Sequence, residues 1–84
     1  MKKEKAQWED ILKAIKSHTT AMSYKTWFAD LIFLGIDSHR KIIYVQVQDN
    51  YVATILNERY KPFMSEAATK VMLEPYTVEP LHFQ

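Results

Sequence analysis

Hydrophobic and polar positions along this chain follow two different periods. Near the start, Trp8, Ile11, Leu12 and Ile15 recur at i, i+3, i+4 and i+7. That is one stripe of a 3.6-residue repeat, and it predicts an amphipathic first helix. Glu9, Asp10, Lys13 and Lys16 occupy the opposite face, with Glu9 and Lys13 placed as a favourable i,i+4 pair. The hydroxyl side chains of "SHTT" (17–20) compete for the backbone and end this helix. Thr19 or Thr20 then caps a second, shorter helix running to about Phe28.

The period changes after that. "LIFLGIDS" (31–38) is rich in β-formers, and "KIIYVQVQ" (41–48) alternates, with Ile43, Val45 and Val47 on one face. "SHRK" (38–41) makes the turn of a β-hairpin between them. Asp49 or Asn50 caps a third helix, whose apolar positions Val52, Ile55, Leu56, Tyr60, Phe63, Ala67 and Val71 keep the helical period. Pro62 interrupts that run, so a kink or break is expected near Lys61. "PYTVEPLHF" (75–83) reads as a last strand, and Pro80 within it points to the edge of a sheet. The order α-α-β-β-α-β predicts an α+β domain with helices packed on a small three-stranded sheet.

Length and composition narrow the class. Eighty-four residues, 48% hydrophobic and 13% aromatic, suit one globular domain spanning 1–84, with no internal repeat or linker. Eleven basic against ten acidic residues give a net charge of +1, too balanced to argue for a nucleic-acid binder as the main role. The basic start "MKKEK" reads as a solvated tail. The chain has no cysteine, hence no disulfide framework or thiolate chemistry, which fits a reducing compartment. No run approaches the roughly 18 apolar residues of a membrane span, and no signal-peptide pattern follows Met1. The expectation is a cytoplasmic protein.

Reactive constellations are missing. His18, His39 and His82 lie far apart and in no spacing that places two metal ligands on one helix face. The single glycine, Gly35, excludes phosphate-binding loops, the dinucleotide fingerprint and the nucleophile elbow. It also excludes the G-x-x-G clamp of KH domains. Glu9 and Asp10 fall on exposed helix positions. The sequence therefore reads as that of a non-enzyme without cofactor or metal.

With its elements placed, the chain resembles the N-terminal domain of the bacterial replication initiator DnaA. The likeness is carried by Trp8, Ile11 and Leu12, by "SYKTWFADL" (23–31), by the alternating strand followed by "DNYVATILNERY" (49–60), and by "YTVEP" (76–80). It extends from about Trp8 to Phe83. The resemblance implies a KH-like fold lacking the nucleic-acid clamp. It implies an interaction module of replication initiation that binds the replicative helicase and initiation regulators, self-associates weakly and touches single-stranded DNA weakly. ATP binding and origin recognition belong to other domains of such initiators. A single-stranded nucleic-acid-binding module, or a stand-alone regulator that pairs with a full-length initiator, are the alternatives.

Individual residues then divide between packing and contact. Trp8 lies on the buried stripe, while the family position it matches serves self-association. Trp27 reads as core because Tyr24 and Leu31 share its face. Either Tyr24 or Phe28 must then lie off that face, at the rim of a partner surface. Tyr51 follows the helix cap and precedes the inward Val52, so its ring is expected outside; the family position is an exposed aromatic used for partner binding. Packing of Tyr51 onto the hairpin is the competing reading. Asn50 is either a cap or part of the same contact. Ser23 stands where family members can carry an acidic residue, which puts partner identity or affinity in question. Tyr60 and Phe63 read as core, and Arg59, Lys61 and Lys70 as solvated charges.

Overall fold

Helix α1 (Lys2–Ser17) opens the fold, and its stripe holds it there: Trp8, Ile11 and Ile15 are buried. The computed structural model describes residues 2–83, so Met1 and Gln84, the ends of the expected 1–84 domain, lie outside the described residues. The second helix, α2 (Ala21–Ser23), is capped by Thr20, whose Oγ1 accepts the Ser23 N–H at 3.0 Å. It runs on without a break into a π-helical turn (Tyr24–Phe28), in which the Ala29 N–H donates to the Tyr24 carbonyl at 3.0 Å. Such a turn carries one residue more than an α-turn and redirects the side chains that follow.

Strands β1 (Ile32–Asp37) and β2 (Ile42–Gln46) form the expected antiparallel hairpin. One Asp37 carboxylate oxygen accepts the His39 and Arg40 N–H groups at 3.0 and 2.9 Å, and Lys41 closes the turn at φ 61°. The Arg40 amide holds the Asp37 carboxyl below its ordinary pKa against opposing desolvation, with further help from the His39 amide and both side chains. Within β1 the pairing steps from Phe33↔Val45 to Gly35↔Tyr44, which leaves Leu34 as an extra, unpaired residue in a β-bulge.

Strand β3 (Thr77–Leu81) lies parallel to β2 on its other side, giving the order β1-β2-β3 with β2 central and Pro80 on an edge strand. A parallel pair needs a crossover, and here it is helical: α3 (Asn50–Ile55), a second π-helical turn (Leu56–Tyr60), then α4 (Lys61–Met72). The interruption expected near Lys61 takes the form of the π-helical turn and a distorted Tyr60, and the helix runs on into α4 without a gap. Tyr60 departs from helical geometry at φ −112°, ψ −7°, and Pro62 sits in the first turn of α4, where its missing N–H is harmless. Helix α4 ends at Leu73, which takes the left-handed conformation at φ 62°.

The core lies between the helices and one face of the sheet. Ile43 and Val45 from β2, Val47 just after it and Val78 from β3 meet Ile11, Ile15, Phe28, Leu56, Met64 and Ala68. Met64 and Ala68 extend the stripe of α4 beyond the positions read from the sequence.

The outer edge of β3 is closed by side chains of the crossover. The Val78 N–H donates to Ser65 Oγ at 3.0 Å, and the Tyr76 N–H donates to Thr69 Oγ1 at 3.1 Å. Asn57 Nδ2 donates to the Pro80 carbonyl at 3.2 Å. Lys61 joins this seam, its ammonium 2.8 Å from Glu79 Oε2. It is therefore half-buried and paired, not the free charge the sequence suggested; being at the start of α4 brings its stem against β3.

Candidate functional site

The two π-helical turns bring five aromatic rings into one connected row. Phe63 lies 6.0 Å from Phe28, and Phe28 meets Tyr60 edge-to-face at 5.4 Å. Tyr60 lies 5.9 Å from Trp27, and Trp27 lies 6.4 Å from Tyr51. These separations and tilts are in the range where aromatic pairs attract beyond simple burial. From Phe28 the row runs outward from the core to solvent, with Phe28 1% and Tyr51 66% exposed.

Local chemistry fixes the outer end. Asp49 caps α3, its Oδ1 accepting the Tyr51 N–H at 2.7 Å and the Val52 N–H at 3.3 Å. The cap sets the first turn of α3, so Val52 points inward and Tyr51 outward, as the order Asp49–Tyr51–Val52 predicts. Asn50 is exposed on that turn and is not the cap.

Beside the Trp27–Tyr51 pair runs a narrow cleft of about 60 Å³. Its apolar floor is Trp27, Leu31, Val47 and Val52; its exposed lip is Thr26, Asp30, Gln48 and Asp49. Among the described residues neither Asp30 nor Asp49 is part of an ion pair. The cleft wall is therefore aromatic and aliphatic, and its rim is negative.

The structure brings together only part of the expected set. Trp27, Tyr51 and Asn50 lie on this surface. Trp27 is half-buried, packed on Tyr60 yet lining the cleft, so it is both core wall and cleft wall. Phe28 is the fully buried ring of "SYKTWFADL", and it underlies the surface without forming it. Tyr24 is the outward partner of that pair: half-buried, 6.2 Å from Phe28, with the Lys16 ammonium 5.6 Å from its ring centre. The π-turn makes this choice, because the extra residue swings Phe28 inward. Trp8 lies elsewhere, 3% exposed and stacked on Phe33 at 6.1 Å with 15° between the planes. Its ring follows the packing reading and offers no surface of its own.

Asp30, Leu31, Val47 and Gln48 were not singled out from the sequence, though they line the cleft. The available signal was an acidic residue three positions after Trp27 and another, Asp49, at the cap. Both are explained locally, and only the folded chain shows that they face one cleft. No group of side chains that could hold a metal ion occurs among the described residues, and none of their helices is long and apolar enough to cross a membrane.

The family model for the DnaA N-terminal domain matches residues 5–70. The chain is also 30% identical over 74 residues to chromosomal replication initiator proteins DnaA of Thermoanaerobacter sp. (strain X514) and Thermoanaerobacter pseudethanolicus (strain ATCC 33223 / 39E). The match covers 88% of this chain and 16% of each relative.

Proposed function

The chain belongs to the family of DnaA N-terminal domains, and from that premise we propose that it is a protein–protein interaction module of replication initiation. It docks the replicative helicase or an initiation regulator on the Trp27–Tyr51 surface, without cofactor or catalysis. The observation that carries this reading is Tyr51. A ring that is 66% exposed, steadied by Trp27 and by a capped helix turn, gives contact area and a hydroxyl at little entropic cost. The surface is small, so each contact is weak and transient, and several copies acting together raise the effective affinity.

Weak self-association belongs to the same reading. With the Trp8 ring inside, its part in such a contact is to hold α1 in place, and the contact itself falls to the outer face of that helix. Single-stranded nucleic acid is disfavoured at the aromatic surface, because the carboxylates of Asp30 and Asp49 repel phosphate.

The test is affinity capture from the source organism's lysate, nuclease-treated, with the wild-type protein and Tyr51→Ala compared by mass spectrometry. Helicase or an initiation regulator should be enriched on wild type and reduced about thirtyfold or more on the variant, as for a hot-spot residue. Tyr51→Ala should still melt cooperatively. Capture independent of Tyr51, or lost on nuclease treatment, would overturn the assignment.

A further inference from the structure

We propose that the cleft beside Trp27 receives an arginine side chain of the protein partner. This rests on the reading of that surface as the partner site and adds the chemistry of what enters it. The cleft has two levels. Its floor of Trp27, Leu31 and Val52 is apolar and matches the methylene stem of a long side chain. Its lip carries Asp30 and Asp49, and no cation of this chain pairs with either among the described residues.

Charge selects the occupant. A phosphate or a carboxylate would meet two like charges at the lip. A purely aliphatic anchor would fill the floor and leave the carboxylates without a partner. A cation on an apolar stem satisfies both levels. Asp49 Oδ1 is already engaged by the Tyr51 and Val52 amides, so the freer acceptor is Asp30. Asp30 also follows the end of the π-helical turn, where backbone carbonyls add negative potential.

Geometry favours arginine over lysine. The cleft, about 60 Å³, has the Trp27 indole in its wall and the Asp30 carboxylate at its lip, an aromatic face and a bidentate acceptor side by side. A guanidinium stacks on an aromatic face while its N–H fork bonds a carboxylate through two oxygens; an ammonium is a compact, strongly hydrated point charge. The partner would therefore present an arginine next to an apolar residue that rests against Tyr51.

The test uses capped dipeptides as probes: acetyl-Leu-Arg-amide, its lysine analogue, and the uncharged citrulline isostere. Each is titrated into the ¹⁵N-labelled protein while the Trp27 indole N–H and the Asp30, Gln48 and Val52 amides are followed; the buried Trp8 indole is the internal control. The arginine probe should give saturable shifts at the cleft and bind about tenfold more tightly than the citrulline probe, with lysine between them. Asp30→Asn, an exposed substitution, should bring the arginine probe down to the citrulline level and leave citrulline unchanged. Equal affinity of arginine and citrulline, lysine binding as tightly as arginine, or shifts away from the cleft would each overturn the proposal. Failure here with Tyr51-dependent capture intact would remove the arginine and keep the interaction surface. Loss of that capture would remove the surface itself.

Discussion

Trp8→Ala should destabilise the protein by about 3–5 kcal/mol, the range for truncating a large buried aromatic and leaving a cavity. The ring is 3% exposed and stacks on Phe33, so transfer, cavity and aromatic-pair losses all apply. Against that stands a total of roughly 4–13 kcal/mol for 84 residues. The variant therefore sits near the folding threshold. With a urea m-value of about 1–1.5 kcal/mol/M, the unfolding midpoint should fall by about 2–5 M. Circular dichroism in urea measures this directly. Trp8→Phe, which keeps a ring against Phe33, should lose less than half as much. The contrast matters for function, because a deficit in self-association measured on Trp8→Ala would report unfolding before it reported a lost contact. Sedimentation velocity on Trp8→Phe separates the two. A loss under about 1 kcal/mol for Trp8→Ala would show that the ring is not part of the core and would refute the reasoning.

Three further outcomes follow from particular bonds. Ser65→Ala removes the acceptor of the buried Val78 N–H, which should cost about 1–3 kcal/mol and speed hydrogen exchange at Val78 far more than at Val45. Leu73 is 89% exposed in a left-handed conformation, so Leu73→Asn should raise stability by up to about 1 kcal/mol; thermal melting checks it. The Asp37 carboxyl is held below its ordinary pKa, so its contribution is complete above the unfolded-state value near pH 4. It is lost as pH falls through the folded value. Asp37→Asn should flatten the part of the melting-temperature profile that falls away below about pH 4.

Much of the architecture was legible because single residues carried strong local signals. The stripe Trp8–Ile11–Ile15, the alternation Ile43–Val45–Val47, the distortion just before Pro62 and the edge position of Pro80 each follow from one physical constraint. The site was less legible. An α-helical reading of residues 24–31 puts Tyr24, Trp27 and Leu31 on one face, and it cannot tell which neighbouring ring turns inward. The π-turn decides that through the Tyr24–Ala29 hydrogen bond, and such a turn leaves no periodic mark in five residues. The cleft was hidden for another reason: Asp30 and Asp49 are distant in sequence, and each is an ordinary surface carboxylate until the fold brings both to the lip of one cleft. Lys61 was misread because its partner, Glu79, lies across the crossover.

The closed seam along β3 also sets how far this sheet can grow. Asn57, Ser65 and Thr69 occupy its outward groups, and Pro80 has no donor to offer. No comparable side-chain seam lies along β1 among the described residues. A strand recruited from outside can therefore add only beside β1, next to the bulge at Leu34. Two copies joined through that edge would present a finished border at each end. Growth by strand addition stops at a pair, so the fold is protected from fibril-like extension by its own connectivity.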